Sequence, residues 1–259
     1  MKLLIYSDLH LEFSHGWTLP QGIDGDVLIL AGDIITFKNY EPFKELISEW
    51  GKPVLFVAGN HEFYTQTSMQ KEVEDFSSWL SKNFPNVTFL QDEDISIDGV
   101  HFFGGSMWTD FGNKNPIAMQ VAGQSMNDFR LIMKDEYQYI SPSDTVELHK
   151  SYVEKLTSWF EKPLKGKRVV ISHHAPVINP DTKYGASNLQ PAFNSLDMIE
   201  IIEKYQPELW VYGHTHECDD QTIGKTRIIS NQLGYPDRLG GYECEGFDES
   251  GLGIRVEEG

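Results

Sequence analysis

The chain has 259 residues, 40% of them hydrophobic and 23% charged, proportions ordinary for a soluble globular protein and enough for a full buried core. Its formal net charge is −18, and its 16 lysines and five arginines are dispersed rather than clustered. That balance argues against a groove tracking a nucleic-acid backbone, and no apolar run approaches the roughly 20 residues of a membrane helix.

Short β-rich runs recur along the chain: 3–6, 27–30, 54–57, 87–90, 101–103, 168–172, 209–212, 226–230 and 253–256. Several are unbroken apolar stretches, as expected of strands covered on both faces. Helical patterns lie between them. The first spans 41–50, with Pro42 early and Gly51 after its end. A second, from about Ser68 to Asn83, carries Phe76, Trp79 and Leu80 on one face. A third spans 144–160, with Leu148, Tyr152, Leu156 and Phe160 at near-helical spacing and Ser143 as its expected N-cap. A fourth runs from about Asn194 to Tyr205, whereas 113–134 reads as a loop with partial helix. Strands alternating with helices and a strand-rich last third predict layered α/β sheets in one domain over 1–259. The apolar run Leu3-Leu4-Ile5-Tyr6 is too short for a secretory signal and lacks a cleavage site, which predicts a cytoplasmic protein. Cys218 and Cys244 cannot make a disulfide framework; Cys218 reads as a free thiol rather than a metal ligand.

Five polar clusters follow apolar runs in one order: Asp8-Leu9-His10, Gly32-Asp33, Gly59-Asn60-His61-Glu62, His173-His174 and Gly213-His214-Thr215-His216. Ligands of open α/β sheets bind beyond the carboxyl ends of strands, so this placement brings distant segments to one edge. Aspartate, asparagine and histidine supply the oxygen and nitrogen donors that borderline divalent metals take. Seven donors exceed the needs of one tetrahedral ion and suit two ions sharing a carboxylate. Glycines precede Asp33, Asn60 and His214, where tight turns need close backbone approach.

These clusters resemble the motifs of the calcineurin-like metallophosphoesterases: Asp-x-His, Gly-Asp, Gly-Asn-His-Asp/Glu, a later histidine and Gly-His-x-His. The resemblance implies a four-layer α/β/β/α sandwich of two mixed sheets with a dinuclear metal site at the strand ends. It implies that Asp8, His10 and His216 hold one ion, that Asn60, His173 and His214 hold the other, and that Asp33 bridges. His61 would stand outside the coordination shell as a general acid near the leaving group. The ions would be manganese, zinc, iron or nickel, and the reaction the hydrolysis of small phosphomonoesters or phosphodiesters by a metal-bridging hydroxide. Two readings compete: a nuclease of the same superfamily, against which the charge argues, and a metal-binding scaffold without catalysis, against which the complete donor set argues.

The chain departs from the family pattern in two places. Thr36 stands where many members carry an aspartate that pairs with the histidine of Gly-Asn-His, leaving Glu62, another acid or the substrate to support His61. Gln232 and Leu233 occupy a Pro-Arg position, which removes an expected arginine contact. His174, Arg130 and Asp128 are the candidates for substrate contact, the last two from a Met126–Arg130 segment that resembles small bacterial or phage-type phosphoesterases. His15, His101 and His149 match no motif and read as surface or packing histidines.

Overall fold

The computed structural model describes residues 1–13 and 16–256, so His15 lies outside the described residues. Among these, 11 strands form two sheets. The first sheet contains β1 (Lys2–Tyr6), β2 (Val27–Ala31), β3 (Val54–Val57), β4 (Val87–Leu90) and, at one edge, β11 (Ile254–Arg255). Its order is β11-β1-β2-β3-β4, parallel except for β11. The second contains β5 (Glu93–Ile97), β6 (Val100–Gly105), β7 (Lys167–Ser172), β8 (Leu209–Val211), β9 (Asp219–Ile223) and β10 (Thr226–Ser230). Its order is β5-β6-β7-β8-β10-β9, with parallel central pairs and antiparallel edges.

The period of two in a strand explains the layering. Leu3 and Ile5 of β1, Val27 and Ile29 of β2, and Leu55 and Val57 of β3 face one way. They pack against Val100, Phe102, Val169, Ile171, Leu209, Val211 and Ile229 in a core between the sheets. The alternate residues Leu4, Tyr6, Leu28, Leu30, Val54 and Phe56 face outward, onto Phe43, Leu46 and Ile47 of α1 (Glu41–Ile47) and Phe76 and Leu80 of α2 (Met69–Asn83). On the far side Phe103, Val170, Trp210 and Ile228 meet Tyr152, Leu156 and Trp159 of α6 (Pro142–Phe160) and Met198 and Ile202 of α7 (Met198–Tyr205). The result is the α/β/β/α sandwich expected. No helix among the described residues is long and apolar enough to cross a membrane.

Several boundaries differ from the sequence reading. The third helix starts at Pro142, with Ser141, not Ser143, as N-cap. Ser141 accepts from the Asp144 backbone while the Asp144 side chain accepts from the Ser141 N–H, a reciprocal box that outcompetes Ser143. Leu148 is 37% exposed because the buried face of α6 runs through Val146, His149, Tyr152, Leu156 and Trp159. The first helix ends at Ile47 rather than Trp50, and the fourth begins at Met198 rather than Asn194. The stretch read as a loop holds α3 (Phe111–Lys114), α4 (Pro116–Ser125) and α5 (Asp128–Leu131). In α3 all four residues have positive φ, from 54° to 63°, giving one left-handed turn tied down by Asp110. The edge strands β5 and β9 were not foreseen.

Candidate metal centre

Each donor sits on the turn that ends a strand. Asp8 and His10 follow β1, Asp33 follows β2, Asn60 follows β3, His173 follows β7, and His214 and His216 follow β8. Five of the seven have positive φ: Asp8 (52°), His10 (45°), Asp33 (53°), His214 (73°) and His216 (52°). Non-glycine residues adopt this region rarely, and such strain concentrates where function over-determines the backbone. Asn60 does not need it, since its φ is −78°. The preceding glycines leave room for the donors. A Cβ on Gly59 would lie 2.1 Å from Asp33 Oδ1, and one on Gly213 would lie 2.6 Å from Asp8 Oδ2.

The donors converge in overlapping groups: Asp8 with His10 and His216, Asp33 with His173 and His214, and His10 with Asp33 and His61. In each group the ligating atoms lie within 4.8 Å of one another. All seven donors are buried. The imidazole orientations fit metal ligation. Nδ1 of His10 faces Glu12 Oε1 (3.1 Å), Nδ1 of His216 faces Glu243 Oε2 (2.6 Å), and Nδ1 of His173 faces the Ala31 carbonyl (2.9 Å). Each acceptor fixes the proton on Nδ1 and leaves the Nε2 lone pair pointing inward. Two such atoms, Nε2 of His10 and of His216, then meet at 3.1 Å, and Nε2 of His214 is buried with no hydrogen-bond partner. Facing lone pairs and an orphaned buried nitrogen suit cations in this space.

Neighbouring groups hold the donors in place. Asp8 accepts from the His214 backbone N–H through both oxygens (3.0 and 3.1 Å). Asn60 Nδ2 donates to Asp128 Oδ1 (3.0 Å) and to Tyr64 Oη (3.1 Å), so its amide oxygen points inward, 3.1 Å from His173 Nε2. Asp128 also accepts from Tyr64 Oη at 2.5 Å. Glu62, offered as a partner for His61, has another task. Its carboxylate accepts from the backbone N–H groups of Asp33, Ile34, Ile35 and Gly59 and so joins the turns after β2 and β3. Burial and nearby Asp33 push its pKa up to about 8, against the opposing pull of His173 and the Ile35 and Ile34 N–H groups.

The carboxylate beside His61 is Glu12, a residue the sequence reading missed. Its Oε1 lies 2.9 Å from His61 Nδ1 and also meets His10 Nδ1. Burial pulls the His61 pKa down, but Asp33 and Glu12 outweigh it and raise it to about 9. His61 Nε2 faces Tyr235 Oη at 2.9 Å, and the Tyr235 ring packs on His10, His61 and His216. Glu12 stands four residues after Asp8, in the one-turn helix Leu11–Phe13, and that offset is the only sequence signal for it.

Of the substrate-contact candidates, Asp128 lines the cavity beside the centre but acts on Asn60 and Tyr64. His174 is fully buried behind His214, with Nδ1 facing the Ser106 carbonyl (3.0 Å). Burial and His173 push its pKa down to about 3, and it does not line the cavity. Arg130 is exposed, donates from Nη2 to the Ser125 carbonyl (2.8 Å) and also lies outside the lining. His149 is a packing histidine, held between Asp197 and the Met107 carbonyl; His101 bridges Ser96 and the Lys165 carbonyl.

Residues 1–218 match the family described as calcineurin-like phosphoesterase. The chain belongs to that family. It is 28% identical to the uncharacterized protein L509 of Acanthamoeba polyphaga mimivirus, over 91% of this chain and 92% of that one. It is also 28% identical to the UPF0046 protein K07C11.7 of Caenorhabditis elegans, over 84% of this chain but 64% of the relative. Among solved structures, the phosphopantetheinyl hydrolase PptH of Mycobacterium tuberculosis shares the fold with a TM-score of 0.69 at 17% identity. That match spans 91% of this chain and 90% of that protein. TT1561 of Thermus thermophilus has a TM-score of 0.55 at 13% identity, over 89% of this chain and 88% of its own.

Proposed function

We propose that this phosphoesterase is a dinuclear metal-dependent hydrolase of small phosphate monoesters or diesters, acting as a single-domain cytoplasmic enzyme. The observation that carries the reading is the shared use of Asp33: the carboxylate reaches the His173–His214 side and the His10 side of the same cluster. Asp8, His10 and His216 would hold one ion and Asn60, His173 and His214 the other, with Asp33 between them. Two divalent ions held by these residues would supply positive charge for the phosphate oxygens and a water acidic enough to act near neutral pH.

The protein's own groups supply the rest. Glu12 and Glu243 orient His10 and His216, and Asp128 turns the Asn60 amide so that its oxygen faces the site. An amide donor adds no negative charge that would repel the incoming phosphate. His61 occupies the cavity wall with Nδ1 held by Glu12, leaving Nε2 to carry a proton to the departing oxygen. Tyr235 Oη, 2.9 Å from that nitrogen, keeps the ring turned toward the cavity.

The decisive experiment strips the protein with chelator, restores manganese, zinc, iron or nickel singly, and measures bound metal and turnover together. Esters to include are p-nitrophenyl phosphate, bis-p-nitrophenyl phosphate, cyclic nucleotides and, because the mycobacterial fold relative is named for that group, a phosphopantetheinyl ester. We expect close to two ions per chain and turnover that returns with them. One ion at saturation, or turnover indifferent to metal, would overturn the reading.

A further inference from the structure

We infer that the cavity beside the centre selects phosphate esters whose departing group carries no negative charge and is largely apolar, and that it rejects those bearing a second phosphate or a carboxylate. The inference rests on the phosphohydrolase reading and adds to it the class of group that the phosphate carries.

The cavity measures about 500 Å³ and opens from Asp33, Asn60, His61, His214 and His216. Its wall also includes Ile178, Tyr184, Leu189 and Phe193, the last stacked on His214 at 4.9 Å. A group departing from phosphorus in this space therefore meets aliphatic and aromatic surface, which favours an apolar body. Two lining residues, Asn127 and Gln190, have side-chain amides that make no hydrogen bond to another described residue. Such amides can donate to and accept from hydroxyl or amide groups, but they bring no positive charge to offset an anion.

Charge decides the exclusion. No lysine or arginine stands among the described lining residues, whereas Glu217 and Glu243 do. Glu217 Oε1 accepts from Thr182 Oγ1 and the Lys183 N–H, and Glu243 Oε2 faces His216, so both carboxylates are fixed facing this space. The Lys183 ammonium lies over the Tyr184 ring at 5.2 Å, outside the lining, where it offsets part of the Glu243 charge, and Arg130 is spent on the Ser125 carbonyl. A second anion on the substrate, placed away from His61, would enter beside two carboxylates with no lysine or arginine in the wall to meet it, the arrangement by which binding sites reject wrong ligands. A cationic or neutral group incurs no such repulsion.

The test uses the metal-restored full chain and four alkyl phosphate esters of equal length, ending in a methylamide, a trimethylammonium, a carboxylate or a second phosphate. We expect kcat/KM for the amide and ammonium esters to exceed that for the two anionic esters by about tenfold or more, with the difference mainly in KM. Gln190→Lys, which adds a cation to the wall, should raise the carboxylate ester relative to the amide ester. Turnover of all four within about threefold, a preference for the anionic pair, or a ratio unmoved by Gln190→Lys overturns this inference alone. Failure to cleave any ester, p-nitrophenyl phosphate included, overturns the phosphohydrolase reading and this inference with it.

Discussion

In the proposed reaction, proton delivery turns on His61 and the carboxylate beside it, Glu12. Thr36 cannot hold an imidazolium, and the structure supplies the missing carboxylate from a different loop: Glu12 Oε1, 2.9 Å from His61 Nδ1. A carboxylate there favours the cationic ring, the form able to give up a proton from Nε2. General-acid assistance is worth about 10²–10⁴-fold, and most to a leaving group unstable as an anion. If the proposed two ions are held as described, His61→Ala should keep the metal content of the parent protein yet slow an alkyl phosphate ester far more than a p-nitrophenyl ester. Glu12→Gln keeps an acceptor oxygen but removes the charge, so it should reproduce that leaving-group dependence at smaller amplitude, about 10–100-fold on the alkyl ester. Because Glu12 also holds His10, metal content must be measured alongside. Equal slowing of both esters by Glu12→Gln with the metals retained would mean that Glu12 works through His10 and not through His61.

At the level of elements, the sequence shows where a strand is buried better than where an element ends. The central strands β1, β2, β3, β7 and β8 were legible because both faces are covered, so their sequences are continuous apolar runs. The edge strands β5 and β9 were not, since Glu93-Asp94 and Asp219-Asp220 are the charged openings that keep an edge from pairing with another chain. The same logic holds in the site. The donor clusters, each weak alone, were legible because five of them follow apolar runs in one order, whereas the contacts of Glu12 with His61 and of Asp128 with Asn60 arise only through tertiary packing. The start of α6 is the boundary most open to experiment. If the Ser141–Asp144 box caps it, Ser141→Ala should lower unfolding free energy by about 1 kcal/mol, and Ser143→Ala should change it by less than half as much. Urea denaturation separates the two, and the reverse ranking would return the cap to Ser143.

In the whole molecule the centre lies where two sheets meet. Asp8, Asp33 and Asn60 end strands of the first sheet, and His173, His214 and His216 follow strands of the second. Within the folded chain the sheets share an apolar core, but at this edge they face each other through buried imidazoles and carboxylates. Without cations, that arrangement brings two imidazole nitrogens to 3.1 Å and leaves His214 Nε2 without a partner, each a cost to the native state alone. Ions held by both sheets would remove that cost and bind the folded form in preference to the unfolded one. By mass action they would stabilise it by about 2.7 kcal/mol at a hundredfold excess over Kd. Adding metal to chelated protein should therefore raise Tm in a concentration-dependent way. Asp33→Ala should abolish most of that rise, because the carboxylate serves both groups of donors. Asp128→Asn, which leaves an oxygen to accept from the Asn60 amide, should keep most of it. A Tm insensitive to metal, or a full response in Asp33→Ala, would show that the two sheets are joined by their core alone.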